Sequence, residues 1–174
     1  VYDKDPGLGI WQPATGGAMA LPWLGFVDPV VDHVVPVTLD GPDDILSPEY
    51  ASDYEEVRTL GPLDESTRSA DETAIARFFS SNPVLMYRNA TCDLLDAQPL
   101  GLLPTTRLFA RIDAAVATTQ IETWRLKYDV GFWRPFEAIA MGGDDGNDGT
   151  HAHEGPEPWA PLIPNPAYSD YMSG

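Results

Sequence analysis

A lysine and an arginine stand seven residues apart in the run KYDVGFWRP, which begins at Lys127 and ends at Pro135. A proline biases the residue before it towards an extended backbone, so the Arg134 guanidinium can fold back towards the lysine. The planar fork of an arginine and the point charge of a lysine together can bind a tetrahedral oxyanion. The alternative is a solvated helix end, because cations are favoured near helix C-termini.

Three further residues could contribute to such a pocket. Trp124 lies three residues before Lys127 and therefore shares its helix face. Ser173 and Gly174 offer a hydroxyl and a glycine N–H, two donors that can approach an oxyanion closely. A Ser-Gly pair is also common in ordinary tails, so these two residues indicate an anion site only together with the lysine and the arginine.

The elements that must position these residues are helical. Ser69 to Glu72 matches a capping box, and Asn82-Pro83 is typical of a cap followed by a first-turn proline. Apolar residues recur at helical spacing, and no segment alternates convincingly as a strand would. The spacing predicts helices over about 48–60, 70–81, from Pro83 onward, and 105–128, the last with a stripe of Leu108, Ile112, Ala115, Val116, Thr119 and Trp124.

The chain is therefore predicted to be all-α, with four or five helices in one domain. Its parts are an extended Pro/Gly-rich segment over 1–46, the helices over 47–141, and an acidic loop with a pocket-forming segment over 142–174.

Composition excludes several classes of protein. Ten Lys+Arg against 27 Asp+Glu give a net charge of −17, which argues against nucleic acid as a partner. No stretch has the roughly 18 to 20 apolar residues that a membrane span needs. The single Cys92 excludes an intramolecular disulfide and is expected to be a small buried thiol. We expect a soluble protein, with a secreted or extracytoplasmic location slightly favoured.

These residues together resemble the vanadium-dependent haloperoxidase family, which shares its fold and anion pocket with the type 2 phosphatidic acid phosphatases. The family pattern is Lys, six residues, Arg-Pro, and later Pro-Ser-Gly-His; Lys127, Arg134-Pro135 and Ser173-Gly174 stand at the corresponding places. The runs ILSPEYASDYEEVRTLG, TAIARFF, RLFARIDAAVATTQIETW, DGNDGT and PWAPLIPNPAY are similar to bacterial members and extend the likeness over nearly the whole chain.

The resemblance implies the helical bundle of that superfamily and orthovanadate as the cofactor. Lys127, Arg134, Ser173 and the Gly174 N–H would hold it, and Lys127 would also polarise the bound peroxide. The implied reaction oxidises a halide with hydrogen peroxide to a hypohalous species, which acts on an organic small molecule. Trp124 and Tyr168 occupy places that border the halide site, and by family analogy the protein forms a homodimer.

The sequence also departs from the family pattern. Met172 replaces the proline before Ser-Gly, and the acid–base His expected after Gly174, the later Arg and the metal-bonding His are absent. We therefore expect the native protein to be longer and the 174-residue chain, which lacks the C-terminal part of the domain, to be inactive alone. Two alternatives stay open: an acid phosphatase of the same superfamily that hydrolyses phosphate monoesters, or a non-catalytic helical fragment or partner-completed subunit.

The acidic loop over 142–149 is a weak candidate for a Ca²⁺ site. Its oxygen-bearing residues are Asp144, Asp145, Asn147 and Asp148, but no Glu falls at the twelfth position that an EF-hand requires. A plain solvated loop is the competing interpretation.

Overall fold

The computed structural model describes residues 2–13, 19–31, 40–155 and 157–163, and these residues are predominantly helical. This confirms the all-α class. Within the described ranges there is no strand, only the isolated bridges Ile10 to Phe132 and Pro62 to Pro161. The elements are a short 3₁₀ helix at Leu24–Phe26 and the helices α1 Pro48–Leu60, α2 Ala70–Phe79, α3 Pro83–Ala97, α4 Leu102–Val130 and α5 Pro135–Ala140.

The helix starts follow the predicted local signals. At α2, the Glu72 N–H donates to Ser69 Oγ at 3.2 Å, and the Ser69 N–H donates to Glu72 Oε2 at 2.7 Å. At α3, Asn82 Oδ1 accepts from the Val84 N–H at 2.9 Å. These bonds satisfy donors that the first helical turn would otherwise leave unpaired.

Helix α4 is longer than predicted, and only part of its predicted apolar stripe is covered. Pro104 lies inside its first turn, where a missing N–H costs no helical hydrogen bond. Its buried residues are Thr118 and Ile121, whereas Ala115 and Thr119, which the periodicity assigned to the apolar stripe, are exposed. The predicted apolar stripe was therefore wrong at Ala115 and Thr119. The 3₁₀ helix and α3 pack against α4 and determine which of its residues are covered.

The core lies where α1 packs against α5. Its buried residues come from α1, from the segment between α4 and α5, and from α5 itself: Tyr50, Tyr54, Trp133, Ala138 and Ile139. Trp11, from the N-terminal segment, is completely buried. Sequence elements more than 80 residues apart therefore meet in one apolar cluster.

Two helices keep apolar side chains exposed within the described structure. On α2, Ile75, Phe78 and Phe79 are 57%, 62% and 68% exposed.

On α3, the Cys92 side chain is exposed, so the prediction of a buried thiol was wrong. The buried residue of α3 is the neighbouring Thr91, and successive helical residues point about 100° apart, which turns the thiol away from the buried side.

No helix in the described ranges has the length and apolarity needed to cross a bilayer.

Candidate anion pocket

A tight turn joins the lysine helix to the arginine. Gly131 ends α4 in the left-handed conformation, with φ of 64°, and its N–H donates to the Lys127 carbonyl at 2.8 Å. A left-handed residue at this position reverses the chain direction, and glycine adopts it without a Cβ penalty. Arg134 then has the extended backbone that Pro135 favours, with φ of −83° and ψ of 152°.

The N-terminal segment holds this turn in place. Trp11 N–H donates to the Gly131 carbonyl at 3.0 Å, and Trp133 N–H donates to the Gly9 carbonyl at 3.0 Å. The Tyr2 hydroxyl donates to the Trp11 carbonyl at 2.8 Å and covers the same turn. Two antiparallel backbone bonds therefore fix the course of the chain between the lysine and the arginine.

Lys127 and Arg134 lie close enough to interact electrostatically. Burial, and then the positive charge of Arg134, lower the pKa of Lys127. Glu137 Oε2 accepts a hydrogen bond from the Arg134 N–H at 2.7 Å. Burial raises the pKa of the Glu137 carboxyl, although this hydrogen bond and the positive charge of Arg134 act in the opposite direction. Its carboxylate caps α5, so it is occupied in holding the arginine's backbone.

Arg125 and Trp124, which lie close to Lys127 on α4, have other partners. Arg125 forms ion pairs with Glu122 at 2.9 Å and Asp129 at 3.1 Å on the surface of α4. The Trp124 indole N–H donates to the Ala20 carbonyl at 2.9 Å, so the halide-site candidate helps to dock the N-terminal segment. Arg125 therefore provides a control for charge-removing variants, because it is an arginine that forms ion pairs with residues of its own helix.

Arg134 lines a cavity of about 330 Å³ together with a second arginine, Arg68. Arg68 comes from the linker between α1 and α2, and no sequence pattern predicts a role for it. The cavity walls are otherwise largely apolar and include Phe136, Trp159 and Leu162, and no described carboxylate lines it. We call it the arginine cavity. No local motif marks Arg68, because its approach to Arg134 depends on tertiary packing.

The chain after the acidic loop closes one side of the arginine cavity. Leu63 N–H donates to the Ala160 carbonyl at 2.8 Å, and Leu162 N–H donates to the Gly61 carbonyl at 2.9 Å. The Trp159 indole N–H donates to the Arg58 carbonyl at 3.1 Å. These bonds fix the 159–163 segment against the C-terminal end of α1.

Three predicted site residues, Tyr168, Ser173 and Gly174, lie outside the described residues. Their assigned roles at the halide site and in oxyanion binding stay predictions. Of the predicted vanadate-binding residues, the described part of the chain contains Lys127 and Arg134.

The acidic loop is held by its own hydrogen bonds. Asp145 is 1% exposed, and its Oδ1 accepts from the Thr150 hydroxyl at 2.6 Å and from the Asn147 N–H at 3.0 Å. Asn147 Nδ2 donates to the Ile45 carbonyl at 2.7 Å and the Ser47 carbonyl at 3.0 Å. The loop therefore fastens itself to the start of α1.

This arrangement bears on the calcium hypothesis. Asp144 and Asp148 are exposed, whereas Asp145 is buried and Asn147 is half-buried. Among the described residues, no group of three or more His, Cys, Asp or Glu side chains is placed to hold a metal ion. The Ca²⁺ site stays a prediction, with the four oxygen-bearing side chains divided between solvent and the protein interior.

A second cavity, of about 310 Å³, lies beside Trp133 and is lined by Tyr50 and Tyr54. Burial raises the pKa of each tyrosine to about 12. The negative charge of Asp145 also raises both pKa values, whereas the nearby Trp133 indole lowers that of Tyr50. Tyr54 donates its hydroxyl proton to the His151 carbonyl at 2.9 Å. The two phenols are therefore neutral near neutral pH.

No protein-family model, curated protein or solved structure matches this chain. The resemblance to the haloperoxidases, drawn from the sequence motif and its flanking runs, stays a prediction.

Proposed function

We propose that the protein is a vanadate-dependent haloperoxidase, in which Lys127 and Arg134 bind the equatorial oxygens of the cofactor. The observation that supports this is the pinned turn at Gly131, which brings a lysine and an arginine from opposite sides of the turn into mutual range. The two positive charges repel each other, and an oxyanion bound beside them would be attracted to both. The haloperoxidase bundle fold belongs to the same proposal.

The residues present fit an oxyanion. Arg134 faces a cavity lined by no described carboxylate, and its fork suits two oxygens of a tetrahedral group. The lowered pKa of Lys127 makes its Nζ proton a better hydrogen-bond donor than that of an exposed lysine. Vanadate, when bound, supplies a Lewis acid that activates hydrogen peroxide for attack by halide. The chain's part is to bind and orient the anion and to place the Lys127 proton beside it.

The test is the affinity for orthovanadate, measured by calorimetry or by vanadium NMR. Lys127→Ala and Arg134→Ala should each weaken binding by about 10- to 100-fold, because a hydrogen bond to a charged group contributes about 1.5–3 kcal/mol. Arg134→Lys should also lose affinity, since an ammonium cannot reproduce the bidentate fork. The matched control is Arg125→Ala, which removes the same charge from the surface of α4. Equal losses in all the alanine variants would refute the pocket.

Activity assays separate the peroxidase from the phosphatase. A haloperoxidase gains peroxide-dependent halogenation of an organic acceptor when vanadate is added. A phosphatase hydrolyses a phosphate monoester without vanadate and is inhibited by it, because both anions compete for the same cations. A protein that binds vanadate but performs neither reaction would support a partner-completed or non-catalytic role.

A further inference from the structure

The arginine cavity contains two cationic side chains that come from distant parts of the chain. Arg134 is the N-cap residue of α5, and Arg68 directly precedes the N-cap residue of α2. Both line the same cavity, and none of the described residues that line it carries a negative charge. An anion bound in the cavity would be attracted by the positive charges of both side chains.

The hydrogen bonds of Arg68 hold its side chain without neutralising its charge. Its Nε donates to the Thr73 hydroxyl at 3.0 Å, and one of its terminal nitrogens donates to the Leu60 carbonyl and to the Pro62 carbonyl, the latter at 3.2 Å. All three acceptors are neutral. The guanidinium is therefore fixed in orientation by the end of α1 and the start of α2, as an anion-binding group needs to be.

A nearby carboxylate has another role. Glu72 accepts from the Ser69 N–H at 2.7 Å and from the Ser69 hydroxyl at 2.8 Å, which completes the capping box. These two hydrogen bonds lower the pKa of Glu72, with Arg68 a smaller cause. Glu72 is exposed and does not line the arginine cavity.

The walls of the cavity favour charge recognition. Trp159, Phe136 and Leu162 line the cavity together with the two arginines. Apolar walls lower the local dielectric constant, which strengthens an ionic hydrogen bond relative to one in water. A volume of about 330 Å³ lies within the usual range of about 300–1,000 Å³ for small-molecule sites.

We propose that Arg68 is a further anion-binding residue and that Arg68 and Arg134 bind one tetrahedral oxyanion between them, beside Trp159. This inference rests on the proposed function through Arg134, which the two sites would share, whereas Lys127 is not among the described residues that line the arginine cavity. It requires neither vanadium nor turnover, so inorganic phosphate serves as the probe.

The experiment measures phosphate affinity by calorimetry on the full chain at low ionic strength. Arg68→Gln should weaken binding at least 10-fold, and Arg68→Lys should weaken it less because the charge remains. The matched control is Arg77→Gln, which removes the same charge from an exposed position on α2 and should change affinity less than twofold. The double variant Arg68→Gln with Arg134→Gln should lose less affinity than the product of the two single fold-losses, because both side chains bind the same anion.

A purely structural role for Arg68 predicts a different pattern. Thr73→Ala removes the acceptor of the Arg68 Nε but leaves the charge and the two bonds to the Leu60 and Pro62 carbonyls, which still orient the guanidinium. It should therefore lower thermal stability while phosphate affinity stays within twofold. If Thr73→Ala weakens phosphate binding as much as Arg68→Gln, the inference is overturned. If only Lys127→Ala and Arg134→Gln weaken it, Arg68 is excluded and the proposed pocket survives. If no variant changes the affinity, or the wild type does not bind phosphate, both fail.

Discussion

Replacing Asn147 by alanine should loosen the attachment of the acidic loop to α1. The side chain makes three hydrogen bonds: Nδ2 donates to the Ile45 carbonyl at 2.7 Å and the Ser47 carbonyl at 3.0 Å, and Oδ1 accepts from the Gly149 N–H at 2.9 Å. Each is worth about 0.5–1.5 kcal/mol, and the half-buried Ile45 carbonyl, which loses this donor, adds to the loss; the Ser47 carbonyl still accepts from the Ala51 N–H at 3.2 Å. The Gly149 N–H is exposed, so water replaces that bond at little cost.

The two carbonyl bonds dominate, and Asn147→Ala should therefore lower the free energy of unfolding by about 2–3 kcal/mol. For a chain of this length, about 1 kcal/mol corresponds to about 2–4 °C, so the Tm should fall by about 4–12 °C. Circular dichroism during heating measures this. The matched control is Asp148→Ala, at the exposed neighbouring position, which should change the Tm by less than about 2 °C.

A fall of less than 2 °C for Asn147→Ala, or an equal fall for Asp148→Ala, would refute this account of the loop. Added Ca²⁺ provides a second comparison. If the loop is a calcium site, Ca²⁺ should raise the wild-type Tm in proportion to its occupancy, and Asp148→Ala should reduce that rise. If the hydrogen bonds alone hold the loop, the Tm should not respond to Ca²⁺.

The remaining predictions concern titration and backbone strain. Arg134→Gln should raise the pKa of Lys127, measured by NMR of the lysine side chain. The pKa of Lys127 is lower in the folded than in the unfolded protein, so the stability of the wild type should rise with pH between these two pKa values. The stability of the variant should rise less over the same pH range. Ultraviolet difference absorbance should show Tyr50 and Tyr54 ionising near pH 12, with stability falling as pH rises from 10 to 12 because the folded state favours the neutral phenols. Gly131→Ala should lower the free energy of unfolding by more than about 1–2 kcal/mol, measured by urea denaturation, because its φ is 64° and a Cβ would lie 2.8 Å from neighbouring side-chain atoms. The corresponding substitution at Gly101, whose φ is −67°, should cost less than 1 kcal/mol and is the control.

The helices were predictable because their signals are local. Ser69 and Glu72 are three residues apart, and their reciprocal hydrogen bonds form whenever that turn forms. Asn82 and Pro83 mark the next start in the same way. The boundaries of α4 were less accurate, since Pro104 is tolerated in a first turn and does not stop a helix there. Helix α5 is only six residues long, too short to show an apolar period.

The sequence by itself determined the helical class and the cap residues. It also determined that Lys127 lies near Arg134, since only a short turn separates these two residues. Tertiary structure alone decided which face of α4 is buried and that Cys92 is exposed, because both depend on which partners each helix meets. It also decided that Arg68 joins Arg134, although 66 residues separate them along the chain. The local sequence around a side chain does not indicate such a distant neighbour. The tertiary packing places both arginines at the same cavity.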